Sequence, residues 1–196
     1  FAVFDDGSGT ALYVGGGFSA TGDGSTTLNY IARWDGSSWS PLVQSTPSCP
    51  TSGTGVNNWV LALKFDASGN LYAGGDFITA GGTTVNRIAR WDGTCWSPLG
   101  SGPGLNEWVF ALDIDTTSGD LYAVGGFTAA TGGITLNHIA RWNGSSWSPL
   151  GSGMGGEDPW VQALIVYDNK LIAGGYFGTA GGVTASYIAS WDGASW

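Results

Sequence analysis

Charge is what this 196-residue chain has least of: Asp, Glu, Lys and Arg make up 11% of it, against roughly 25% in an ordinary soluble domain. Cations are scarcest. Six Lys and Arg stand against fifteen Asp and Glu, for a formal net charge of −9. Nucleic-acid binding needs a concentrated cationic surface that releases counterions. Arg33, Lys64, Arg87, Arg90, Arg141 and Lys170 are scattered along the chain, so no nucleic-acid partner is expected. Anionic membrane surfaces are disfavoured for the same reason. No apolar run approaches the roughly 18 residues of a membrane-crossing helix, so membrane insertion is not expected either. Glycine follows no every-third-residue pattern, which excludes collagen. Aromatics at 13% exclude a disordered linker, which lacks the bulky groups needed to offset chain entropy. Length alone admits one or two ordinary domains.

Glycine (35 residues) and tryptophan (11) are in excess. Both trace to an internal repeat. Four segments read Tyr30-Ile-Ala-Arg-Trp-Asp-Gly36, Arg87-Ile-Ala-Arg-Trp-Asp-Gly93, His138-Ile-Ala-Arg-Trp-Asn-Gly144 and Tyr187-Ile-Ala-Ser-Trp-Asp-Gly193. Each is preceded by an aliphatic, glycine-rich segment: Leu12 to Phe18, Leu71 to Phe77, Leu121 to Phe127 and Leu171 to Phe177. Each unit closes on Trp39-Ser-Pro-Leu42, Trp96-Ser-Pro-Leu99, Trp147-Ser-Pro-Leu150 or the shortened Trp196, and opens on Phe1-Ala-Val, Val60-Leu-Ala-Leu63, Val109-Phe-Ala-Leu112 or Val161-Gln-Ala-Leu164.

A unit thus holds four short segments rich in Val, Ile, Leu, Tyr, Phe and Trp, bounded by Gly, Asp, Asn and Ser, which is a strand signature. No segment sustains a helical period. Asp35-Gly36, Asp92-Gly93, Asn143-Gly144 and Asp192-Gly193 mark hairpins, because these residues tolerate positive φ. The residues fit a two-residue or a four-residue turn; a four-residue loop would set Trp34 opposite Trp39. Four antiparallel strands repeated about every fifty residues predict an all-β fold, a β-propeller of four-stranded antiparallel blades. The blades are read as 1–58, with an inserted inter-blade loop, 59–107, 108–159 and 160–196, the last with its outer strand truncated. Gly16, Gly75, Gly125 and Gly175 share one column of the second strand, where a bulge or a close approach is expected. Crowding of neighbouring sheets around a central channel would require them.

The order of aliphatic strand, Gly-Gly, variable loop, aromatic residue and Trp resembles the kelch repeat, whose period is also about 50. The resemblance covers all four units and is carried in the second by Leu71-Tyr-Ala-Gly-Gly75, Trp91 and Trp96. The closer spacing of the two aromatics and the Val124-Gly-Gly126 variant mark these as kelch-like, bacterial-type Gly/Trp-rich repeats. The resemblance implies the propeller fold; it leaves function open, since propellers host unrelated activities.

Candidate site residues follow from departures from the repeat. Three Trp columns account for all eleven tryptophans, so most are expected to be framework. The column at the start of the first strand, Trp59, Trp108 and Trp160, is the one suited to stacking on a ligand such as a glycan. Arg33, Arg90 and Arg141, on the third strand, would be partly buried between blades and need partners, for which Asp35, Asp92, Asp76 or backbone carbonyls are at hand. His138 shares a column with Tyr30, Arg87 and Tyr187, which reads as surface variation and not as a catalytic base or metal ligand. Asp5-Asp6, Asp113 with Asp115, and Glu157-Asp158 could form carboxylate pairs, yet no spacing singles one out for glycoside hydrolysis, and an EF-hand loop is absent. Asn143-Gly-Ser145 fits an N-glycosylation pattern but also substitutes for Asp in a turn. Neither a metal site nor a cofactor is expected.

Cys49 lies in an insertion from Val43 to Val56, and Cys95 replaces the Ser found at 38, 146 and 195. Their joint appearance points to a disulfide between the two, with unrelated thiols as the alternative, and a disulfide fits an extracellular or cell-surface location. A chain that opens inside a strand and stops at Trp196 reads as a piece of a longer protein. Four blades would then be an arc of a larger ring of six to eight, completed by further sequence or by other copies of itself. An open arc exposes apolar faces and invites self-association. Two function classes result: a non-enzymatic structural or adhesive scaffold that can self-assemble through those faces, and a carbohydrate-binding propeller with Trp in each site. Catalysis ranks third, because these near-identical units offer no asymmetric constellation.

Overall fold

The structure, a computed structural model, describes residues 1–44, 47–102 and 104–196. Every regular element among the described residues is a β-strand. Four antiparallel sheets follow one another along the chain. The first holds Ala2–Asp5, Thr10–Gly15, Ile31–Trp34 and Trp39–Pro41; the second, Val60–Phe65, Leu71–Gly75, Ile88–Trp91 and Trp96–Ser97. The third holds Val109–Ile114, Leu121–Gly125, Ile139–Trp142 and Trp147–Pro149; the fourth has the three strands Trp160–Tyr167, Lys170–Tyr176 and Ile188–Trp191. Within each sheet, spatial order is sequence order. Tight turns join the first strand to the second and the third to the fourth, while a longer segment with its own hairpin joins the second to the third; consecutive strands pair throughout, as is usual.

The Asp-Gly turns span four residues and put Trp34 opposite Trp39, Trp91 opposite Trp96 and Trp142 opposite Trp147. The paired indoles lie 5.1 to 5.4 Å apart between ring centroids. Asp35 shapes its turn by accepting from the backbone N–H groups of Ser37 and Ser38, both at 2.8 Å. Asp92, Asn143 and Asp192 do the same in their units.

Sheets are joined by stitched linkers. A small hairpin between the second and third strands, Thr79–Ala80 with Thr83–Thr84, recurs as Ala129–Ala130 with Ile134–Thr135 and as Thr179–Ala180 with Val183–Thr184. The linker arriving from the preceding unit pairs with it, through Val56 and Ala80, Leu105 and Ala130, and Met154 and Ala180. The same linker residues donate backward, Val56 N–H to Asn29 O at 3.0 Å and Leu105 N–H to Asn86 O at 3.1 Å. Each linker is therefore hydrogen-bonded to the sheet it leaves and the sheet it enters.

Face-to-face contact between sheets forms the core. The first strand of each sheet packs against the first strand of the one before, and on its second strand. Ile31, Ile88 and Ile139 are fully buried there, a burial that contributes about 1.5–3 kcal/mol for each side chain. Two glycine columns serve two purposes. A Cβ on Gly15 would overlap Val60 of the next unit, and one on Gly74 would overlap Val109, so this is the column of inter-sheet approach. The next column, Gly75, Gly125 and Gly175, faces the carbonyl of Trp59, Trp108 and Trp160 in its own unit. There a bulge between Val60 and Ala62, repeated at Val109/Ala111 and Val161/Ala163, turns the first strand. The bulge explains the column to which sequence reading assigned sheet crowding; the crowding sits one residue earlier.

Register also shifts the reading of the first strand. Val3 opposes Leu12 as Phe65 opposes Leu71. Phe1 therefore corresponds to Leu63, and not to Val60 as the motif comparison suggests.

The insertion folds onto the second unit. Val43–Gln44 pairs with Gly53–Thr54, and Cys49 is disulfide-bonded to Cys95, with Cα atoms 5.5 Å apart. Ser45 and Thr46, within the insertion, lie outside the described residues. Gln44 is fully buried: its Oε1 accepts the Trp96 backbone N–H at 2.6 Å and its Nε2 donates to Thr51 O at 2.8 Å.

Candidate functional site

Two regions of the stacked sheets gather side chains that could meet a ligand. The first is the end at which each first strand begins, carrying the Trp59, Trp108 and Trp160 column. Trp59 is 52% exposed, and its indole edge lies 3.3 Å from where a Cβ on Gly17 of the preceding unit would be. Trp160 covers Gly126 in the same way. Trp108 meets Phe110 edge-on at 6.1 Å, and Phe110, the bulged residue, stacks on Trp160 at 5.4 Å. The three rings are thus not equivalent: one is open, and two are joined through Phe110.

Around these rings the repeat varies. The residue before the conserved Phe is Gly17, Asp76, Gly126 or Tyr176, and the residue opening the third strand is Tyr30, Arg87, His138 or Tyr187. Arg87 pairs with Asp76, donating also to its backbone carbonyl at 2.7 Å, and Asn58 donates to the same carboxylate at 2.9 Å. Tyr176 stacks on Tyr187 at 5.8 Å. His138 is buried, which corrects its reading as a surface position: its Nδ1 lies 3.3 Å from Gly125 O. Burial pushes its pKa below the ordinary histidine value, partly offset by the Gly125 carbonyl and Asp158.

The arginines of the third strand find partners other than those expected. Asp35 and Asp92 are occupied in their own turns. Arg33 instead lies 3.5 Å from Asp6 and donates to Ser8 Oγ at 2.8 Å, and Arg141 Nε pairs with Asp120 at 2.7 Å. The Nε atoms of Arg33 and Arg90 are buried with no hydrogen-bond partner.

The candidate carboxylate pairs are drawn apart by their local roles. Asp5 accepts from Gly7 N–H and Asp6 from Ser8 N–H, both as turn caps, and Asp115 accepts from Thr117 N–H. Asp113 points elsewhere: it pairs with Lys64 at 2.6 Å and accepts Val166 N–H at 2.7 Å, tying the first strands of three sheets together. Among the described residues, no three His, Cys, Asp or Glu side chains converge on one point. Nor, among the described residues, is any helix long and apolar enough to cross a membrane.

The second region was not anticipated. At the opposite end of the sheets, where the Asp5–Thr10 turn lies, a cavity of about 310 Å³ opens between the first and second units. Phe4, Tyr13, Phe65 and Trp91 form its aromatic walls, and Asp6 and Arg33 its polar side. Phe4 and Phe65 stack at 4.4 Å, and Tyr13 meets Phe65 edge-on at 4.9 Å. Burial raises the Tyr13 pKa, and both Arg33 and Asp6 act on its phenol. Ser8 lowers that of Asp6, helped by Arg33. The only sequence signal was that Tyr13 and Arg33 fall opposite each other, and it takes the strand register to see it. No family model matches the chain, and no curated protein matches it.

Proposed function

We propose that this chain is a non-catalytic scaffold of the β-propeller type, a kelch-like stack of blades that works in an oxidising, extracellular setting and associates through the faces of its sheets. The disulfide between Cys49 and Cys95 supports the compartment. The engagement of most carboxylates in turns, and of Asp113 in a strand-to-strand tie, supports a structural role over a catalytic one.

One observation carries the reading. The face that receives the next unit in the first three sheets is open in the fourth. Ile188 is 65% exposed, whereas Ile31, Ile88 and Ile139 are 0% exposed. Gly174 has only Tyr187 O, at 3.8 Å, near the place where Gly15 and Gly74 meet Val60 and Val109. Phe1 and Val3, on the far side of the first sheet, are exposed in turn. They correspond to Leu63 and Phe65, which pack on the preceding unit. The open face fits the first strand of a further unit, supplied by more of the same chain or by a second copy; from a second copy it makes a heterologous head-to-tail contact continuing the one inside the chain.

Sedimentation velocity of the 196-residue chain tests this. Concentration-dependent oligomers that Ile188→Lys disperses support the proposal, and a wild-type monomer at every concentration contradicts it. The second reading, glycan binding through Trp59, Trp108 and Trp160, is favoured by the open ring of Trp59 alone. It requires a Trp59→Ala variant that still assembles but loses glycan.

A further inference from the structure

We infer that the cavity between the first and second units is a binding site for a neutral sugar ring, independent of the assembly just described. Its volume of about 310 Å³ falls at the lower end of the roughly 300–1,000 Å³ typical of small-molecule sites. Such sites combine apolar walls with a few placed polar groups. Here Phe4, Phe65 and Trp91 present flat apolar surfaces of the kind that cover the C–H face of a pyranose.

The polar side decides the ligand class. Arg33 and Asp6 supply one positive and one negative charge 3.5 Å apart, so a charged ligand would be opposed by one of them. A pair of adjacent hydroxyls suits both at once, accepting from the guanidinium and donating to the carboxylate. The Tyr13 phenol adds a further donor or acceptor on the same wall.

Comparison within the repeat separates this cavity from generic inter-sheet space. The corresponding recess between the third and fourth units, lined by Tyr122, Val166 and Trp191, holds about 100 Å³. There Arg141 is held by Asp120 at 2.7 Å. Between the first and second units, Val43 at the start of the insertion forms part of the wall. The aromatic pair Phe4 and Phe65 also lacks a counterpart, since Val166 stands in the fourth unit where Phe65 stands in the second.

Titration of the wild-type chain with methyl α-D-glucopyranoside, methyl α-D-mannopyranoside and methyl β-D-galactopyranoside tests the site, followed by the indole N–H resonances. The expected result is a saturable shift of the Trp91 signal with at least one glycoside, leaving Trp59 unmoved. Asp6→Asn and Tyr13→Phe, which keep side-chain shape, should each weaken that binding by about tenfold. Arg141→Ala, at the equivalent position of the third unit, should leave it unchanged. If none of the three glycosides shifts Trp91, or if Asp6→Asn and Tyr13→Phe bind as wild type, the inference fails. It fails equally if Trp59→Ala is the variant that abolishes binding. Ile188→Lys, which bears on assembly alone, should bind the glycoside as wild type does.

Discussion

Val109 occupies the space that a side chain on Gly74 would need. This contact, repeated by Val60 at Gly15, sets how closely the first three sheets approach, whereas the third sheet carries the buried Val124 in that column; Gly174, where no neighbouring unit intrudes, is an internal control. Gly74→Ala should therefore cost about 1–3 kcal/mol through overpacking. Gly174→Ala should be neutral or stabilise by about 0.5–1 kcal/mol, because alanine suits a strand interior better than glycine. Urea denaturation of the two variants checks the contrast, and equal effects would sink this account of the stack.

Reduction of the disulfide should loosen the link between the first two units. Cys49 and Cys95 are 46 residues apart, and opening a loop of that length is expected to lower stability by about 3–4 kcal/mol. Cys95→Ser restores the residue found in the other units, so its effect can be assigned to the lost bond. Thermal melts with and without reductant should differ for the wild type and coincide for the variant.

Gln44 supplies the polar counterpart of that link. Its Oε1 is the partner of the Trp96 backbone N–H inside a fully buried environment. Gln44→Leu leaves that donor unmatched and should cost about 1–3 kcal/mol. Amide hydrogen exchange at Trp96 should accelerate selectively, and unchanged protection there would contradict the assignment.

His138 predicts a pH dependence with a definite sign. Its folded pKa lies below the ordinary value, chiefly through burial. The unfolded chain therefore binds more protons than the folded one as pH falls below about 6.5. Stability should be full above that pH and decline as the pH drops toward the folded pKa. His138→Tyr, the residue found at 30 and 187, should remove this step from a plot of Tm against pH. The turn-capping carboxylates act lower on the scale. Backbone and hydroxyl donors depress Asp35 and Asp192, so their contribution is present above about pH 4 and lost as pH falls through the depressed values.

Much of this architecture was legible in the chain because the repeat supplies four copies of each signal. Asp35-Gly36 and its counterparts identified the hairpins, but Asp-Gly fits a two- or a four-residue turn, so the pairing of Trp34 with Trp39 came from the strand register. The pairing of Cys49 with Cys95 was visible because both depart from the repeat together. Three-dimensional partners were less accessible. Arg33 turns to Asp6 across a hairpin, a choice that depends on the strand register and not on the nearest acid in sequence. His138 is buried although its column tolerates Tyr and Arg, since the column names a backbone position and not its surroundings. The cavity beside Tyr13 escaped notice because it is a space between units, to which no single motif corresponds.

An engineered cross-link tests most directly whether the open face of the fourth sheet receives the first strand of another copy. Phe65 meets Tyr13 at 4.9 Å within the chain, and the corresponding positions across a head-to-tail contact are Val3 and Ile172. Val3→Cys and Ile172→Cys chains, mixed under mild oxidation, should give a disulfide-linked dimer containing one of each. Cross-linking no greater than that of a Val3→Cys and Ile134→Cys mixture would contradict the account.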